Sequence, residues 1–126
     1  MTDLPTRVTR LNPMFAVSDM EETIAFYRVV LGFAPTLRSP EISIIERDGQ
    51  SIILTKAESE RVMRNLRGHT EFYIHVTGIE ALWEHVKEFK DTYRIKDLFD
   101  REYGMREFHI VDPNGCLVFI GEPISK

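Results

Sequence analysis

Two stretches of this chain, FAVSDMEETIAFY at residues 15–27 and YIHVTGIEALWEH at residues 73–85, carry one pattern: a strand, a helix-start signal, then an apolar helical stripe. A duplication constrains the fold more than any single motif, because a unit of about 60 residues buries too little surface to stand alone. In the first unit Pro13–Val17 reads as a strand, and Ser18 with Glu21, or Asp19 with Glu22, can form a capping box. Met20, Ile24, Tyr27 and Leu31 recur at helical spacing, and Gly32 is placed to end the helix in a left-handed C-cap. Phe33–Leu37 restarts extended. Ile42–Arg47 and Ser51–Thr55 flank Asp48-Gly49, a favoured two-residue hairpin turn.

The second unit repeats this order. Thr70–Val76 alternates, with Phe72, Ile74 and Val76 on one face and Glu71, Tyr73 and His75 on the other. Thr77-Gly78-Ile79-Glu80 matches a capping box, and Ile79, Leu82, Trp83, Val86 and Phe89 form a helical stripe. After a weak strand at Lys96–Phe99, Arg106–Val111 and Cys116–Ile120 flank Asp112-Pro113-Asn114-Gly115. Asp at the first turn position, Pro at the second and Gly at the fourth give that hairpin its mechanism. Each half therefore reads β-α-β-β-β.

The expectation is an α+β fold: paired βαβββ modules forming curled mixed sheets around a concave cleft, with helices outside. Residues 1–126 make one domain, with module one at about 11–56, a connector at 57–68 and module two at about 69–123. Residues 1–10 read as a polar lead-in, too polar for a signal peptide. The connector is charged and partly helical. Its Arg61, Arg64 and Arg67 could bind an anion, although such runs are more commonly a solvated face.

Composition excludes several classes of function. No apolar run approaches the roughly 18 residues of a membrane span, and the single cysteine, Cys116, rules out an internal disulfide. A cytoplasmic location follows as the expectation. No Cys/His spacing suggests zinc. The net charge of −4 argues against nucleic acid and is compatible with a cationic small molecule. Cys116 reads as a small strand hydrophobe, Trp83 as helix packing, and His109 has no partner carboxylate that the sequence identifies. Glu71, Tyr73 and His75, on the strand face turned away from the helix, are candidate cleft residues.

The segments Asn12–Asp19, Leu31–Phe33, Thr77–Val86 and Tyr103–Gly115, in that order and spacing, resemble the vicinal oxygen chelate superfamily of glyoxalase I, extradiol dioxygenases and bleomycin-resistance proteins. The bleomycin-resistance branch is the nearer match. Metal enzymes of that superfamily place ligands at four inward positions, which the resemblance puts at Asn12, Leu54, Glu71 and Phe119. Of these only Glu71 is a usual ligand for a divalent ion. The resemblance thus implies a lost metal site, no cofactor and no catalytic residue. It implies instead a homodimer that binds a small molecule between paired modules. Tyr103 falls where the family has a ring-stacking aromatic, Tyr73 and His75 at cleft aromatics, and Ile42 at the other stacking position, where it is aliphatic. With Leu54, Glu71 and Phe119 these are the implied ligand-binding residues. The leading reading is a non-catalytic binder of a flat aromatic or glycopeptide-antibiotic-like ligand. The alternatives are a metal-dependent lyase or dioxygenase of the same fold, and an interaction module without a ligand.

Overall fold

A computed structural model describes residues 4–124; of the polar lead-in, residues 1–3 lie outside the described residues. Module one contains β1 (Met14–Val17), α1 (Met20–Leu31), β2 (Ala34–Leu37), β3 (Ile42–Arg47) and β4 (Gln50–Lys56). A connecting helix, α2 (Glu60–Leu66), leads to β5 (Glu71–His75), α3 (Ile79–Val86), β6 (Ile95–Asp100), β7 (Met105–Val111) and β8 (Leu117–Pro123). Two mixed four-stranded sheets result, in the orders β1-β4-β3-β2 and β5-β8-β7-β6. The repeat in the sequence is a repeat of topology: β1 runs parallel to β4 as β5 does to β8, and the other pairings are antiparallel.

Local chemistry explains most boundaries. Of the two capping options for α1, Asp19 is the cap, its carboxylate accepting from the Glu22 N–H at 3.0 Å. Ser18 turns elsewhere: its N–H donates to the Asn114 side chain at 2.9 Å and its hydroxyl to Glu60. Gly32, at φ +80°, closes the helix as expected. Asp48 and Gly49 both have positive φ, which matches the right-handed twist of the flanking strands.

Helix α3 starts differently from the sequence expectation. Its N-cap is Gly78, without a side-chain cap from its own turn. The Ile79 N–H donates instead to Glu122 on β8 at 2.7 Å, while Glu80 pairs with Arg106. In the connector, Ser59 caps α2, and Gly68 N–H bonds the Gly115 carbonyl, so the segment is pinned to the β7–β8 turn.

The helix-bearing faces of the two sheets turn toward each other and share one hydrophobic cluster, from Val17 and Leu54 in module one to Phe108 and Ile120 in module two. Helix α1 packs one face into it, with Ile24, Phe26, Tyr27, Val30 and Leu31 buried, and keeps Glu21, Glu22 and Arg28 exposed on the other. Phe26 meets Tyr93 edge-on at 4.8 Å, and Tyr27 hydroxyl donates to buried Asp112 at 2.7 Å. Asn114 of the same turn donates to Thr23 at 2.9 Å. The Asp-Pro-Asn-Gly hairpin is therefore also a tie between the modules. Each sheet keeps its other face, the one without helices, clear of this core. None of the described helices is long and apolar enough to cross a membrane.

Candidate functional site

The two helix-free faces differ in chemistry. On the first sheet Leu37, Ile44, Ile53 and Met14 stand in one row across β2, β3, β4 and β1, with Ile42 in the neighbouring row. This plate is aliphatic and open: Met14 is 59% exposed and Ile42 40%. On the second sheet the corresponding face is aromatic. Period-two alternation places Tyr73 and His75 of β5, Phe119 of β8 and His109 of β7 on it, and the bulged pairing of β6 adds Phe99.

These rings form a continuous row across all four strands. Centroids are 4.5 Å apart for His75–Tyr73, 5.9 Å for Tyr73–Phe119, 4.2 Å for Phe119–His109 and 5.4 Å for His109–Phe99. Such spacings are those of favourable ring contacts. The Tyr73 and Phe119 rings lie nearly parallel, at 16°.

Glu107 holds the row in place. It is fully buried on the same face, two residues before His109. One oxygen accepts from Tyr73 at 2.7 Å and Tyr103 at 2.5 Å; the other accepts from His109 Nε2 at 2.8 Å and Arg101 at 3.3 Å. An ionised carboxylate only accepts, so His109 carries its proton on Nε2. Burial alone would push the Glu107 carboxyl up. The hydrogen bonds from His109, Tyr103 and Tyr73 outweigh it and leave the group below the ordinary glutamate range. The Tyr73 phenol is raised, by burial first and then by its bond to Glu107, and so is a fixed neutral donor.

Space for this network comes from Gly121. A Cβ there would lie 2.0 Å from the Tyr73 hydroxyl and 3.0 Å from Glu107 Cγ. Tyr103 arrives from the β6–β7 loop, where the Gly104 N–H bonds the Arg101 carbonyl at φ +87°. It remains 53% exposed, with the Arg101 guanidinium 4.5 Å from its ring centroid.

Of the residues expected to bind ligand, Tyr73, His75, Phe119 and Tyr103 come together here. Glu71 sits on the same face at its β5 edge and is exposed. Ile42 lies on the aliphatic plate of the other sheet. Leu54 requires a correction: it pairs in register with Phe15 and Ser43, is fully buried, and points into the shared core under α1. A one-residue step in strand parity separates it from Ile53 and Thr55, which do reach the open face. Glu107 was missed, although its i,i+2 spacing to His109 within a strand was visible and marks both for one face. His75 also borders a groove of about 600 Å³ between the modules, alongside Phe33, Gln50 and Ile74.

The four positions that the superfamily's metal enzymes would use do not form a donor set. The Asn12 amide donates to the Ser51 carbonyl at 3.0 Å, Leu54 is in the core, and Phe119 belongs to the ring row. Among the described residues, no three His, Cys, Asp or Glu side chains gather to hold a metal ion. Burial pushes the Cys116 thiol up to about 12, which suits packing and not nucleophilic attack.

A pair of βαβββ modules presenting two open sheet faces defines a scaffold class, and the sequence agrees with it. Residues 9–120 match the family model for the Glyoxalase/Bleomycin resistance protein/Dioxygenase superfamily, and the chain belongs to that superfamily. A bleomycin resistance protein of Geobacillus stearothermophilus is 24% identical over 132 residues, covering 90% of this chain and 96% of that protein. Among solved structures, a glyoxalase-related enzyme from Clostridium phytofermentans superposes with a TM-score of 0.78 at 21% identity, covering 97% of this chain and all (100%) of the other. The bleomycin-binding protein of Streptomyces verticillus, complexed with copper(II)-bleomycin, gives 0.74 at 19%, covering 96% and 99%. These likenesses establish the fold; the chemistry must be read from the site.

Proposed function

We propose that this protein is a non-catalytic binder that sequesters a flat aromatic or glycopeptide-antibiotic-like small molecule. The observation that carries the reading is the five-ring row of His75, Tyr73, Phe119, His109 and Phe99, anchored from beneath by Glu107. Rings whose polar tips are already tied down lose little freedom when a planar ligand stacks on them. The relatives named for bleomycin resistance, and the bleomycin-bound neighbour, support a binding role, while the glyoxalase-related neighbour shows that the same scaffold also serves an enzyme.

We place the cleft between two copies of the chain. One copy's aliphatic plate, with Met14, Ile42, Ile44 and Ile53, would roof the other's aromatic row, giving two equivalent sites by two-fold symmetry. Exposed apolar side chains on a strand face are what such an interface would cover. The proposed working compartment is the cytoplasm, in keeping with a lone buried thiol.

Calorimetric titration with bleomycin and a panel of planar aromatics tests the reading, with light scattering of the free protein to establish its mass. Saturable binding that Phe119→Ala weakens at least about five-fold is expected, since stacking on one aromatic contributes ~1–3 kcal/mol. Absence of binding by every aromatic tested would refute it. Trp83 contacts Phe108 on the helix-bearing side, so its fluorescence is a poor reporter of this face.

A further inference from the structure

Charges around the ring row are sorted by edge. Lys96 pairs in register with His109, which puts it on the aromatic face, and its ammonium lies 4.7 Å from the Phe99 ring centroid. Arg101 lies 5.4 Å from the same centroid and 4.5 Å from that of Tyr103. Both cations stand at the β6 edge. Glu71 stands at the β5 edge, three strand spacings away, or about 14 Å. That exceeds the screening length at physiological salt, about 8 Å.

The carboxylates nearer to Lys96 are committed elsewhere. Asp97 points off this face and pairs with Lys90 at 2.6 Å, and Asp100 pairs with Arg106 at 2.7 Å. Glu107 has both oxygens filled by four donors of its own chain. Among the described residues Glu71, beside Tyr73, is the uncommitted carboxylate on this face, so a ligand cation would find a partner only at the end of the row opposite Lys96. Lys96 forms no ion pair among the described residues. Arg101 is only partly neutralised, through contacts of 3.3 Å to Glu107 and 3.4 Å to Glu102.

We infer that this face selects a planar aromatic anion, its ring system stacked on Tyr73, Phe119 and His109 and its acid group held at the β6 edge by Lys96 and Arg101. The inference rests on the binding function proposed above and adds the charge of the ligand to it. Ring stacking sets the depth of the site, and the cation edge sets orientation: a carboxylate, sulfonate or ionised phenol on the ring's end meets Lys96 without displacing the Glu107 network.

Three probes sharing one ring system separate the two claims: 2-naphthoate, 2-naphthol and 2-naphthylmethylammonium, titrated calorimetrically into the full chain and into Lys96→Met at neutral pH. The expected result is naphthoate binding at least about ten-fold more tightly than the ammonium, with Lys96→Met weakening naphthoate by about three-fold or more while Arg101 remains, and leaving naphthol unchanged. Methionine keeps the apolar stem over Phe99, and Lys96 is exposed, so the variant folds. Equal or tighter binding of the ammonium, or unchanged naphthoate affinity in Lys96→Met, overturns the inference while leaving the aromatic-binding function intact. Failure of all three probes to bind overturns the inference, and overturns the binding function with it when bleomycin and the wider aromatic panel fail as well.

Discussion

Glu107 shows how one side chain can be structural and functional at once. A buried carboxylate is costly unless its lone pairs are filled, and here two phenols, an imidazole and a guanidinium fill them. Glu107→Gln keeps the shape but turns one acceptor oxygen into a donor facing other donors. We expect a loss of about 1–3 kcal/mol in urea unfolding at pH 7. The pH dependence has a definite sign. The folded-state pKa of Glu107 lies below its unfolded value, so its contribution is complete above the unfolded value and lost as pH falls through the folded one. Asp112 works in the opposite sense: burial raises its pKa, so its contribution is present at low pH and lost as pH rises through the folded value. Unfolding midpoints measured from pH 7 to pH 3 should thus fall more steeply in the native protein than in Glu107→Gln. Gly121 belongs to the same unit. Gly121→Ala forces the Tyr73 hydroxyl off Glu107 and should cost about 1–3 kcal/mol, readable by the same denaturation, together with weaker binding of any stacked ligand. None of this was legible from composition. The strand carrying Glu107 and His109 was legible, and its parity would have joined them, but only the folded pairing brings Tyr73 and Tyr103 to the same carboxylate.

At the scale of elements, the sequence signals that succeeded are those satisfied within a few residues. The Asp19 cap, the Gly32 stop and the Asp48-Gly49 turn depend on backbone conformations that neighbouring side chains dictate. The capping box read at Thr77–Glu80 failed because its acid had a better partner: Glu80 pairs with Arg106 at 2.7 Å, and Glu122, distant in sequence, takes the Ile79 N–H. Glu122→Ala should therefore destabilise the fold by about 1 kcal/mol, the usual cost of losing a helix cap, whereas Thr77→Ala should leave the unfolding midpoint nearly unchanged. Chemical denaturation of the two variants side by side checks this. Strand register was similarly beyond local reading. The expectation for Leu54 was off by one residue, and in a strand one residue is the difference between an open face and the core.

At the scale of the whole molecule, the repeat was readable because it recurs as a pattern of strands, capped helices and stripes, and the two sheets share one topology. Which faces the modules turn toward each other was not readable. That arrangement depends on long-range contacts such as Tyr27 with Asp112 and Asn114 with Thr23, made by a hairpin turn whose residues look sufficient for a turn alone. Because the helix-bearing faces meet, the aromatic row and the aliphatic plate are both left open. An account that gives the row a purpose is tested most directly by aromatic-region NMR of the full chain titrated with a planar aromatic such as 2-naphthoate. The account predicts saturable shifts concentrated on the rings of Tyr73, His75, Phe99, His109 and Phe119, with Trp83 on the opposite side unaffected. Shifts that spare these five rings, or that fall on the groove by Phe33 and Gln50 instead, would contradict it.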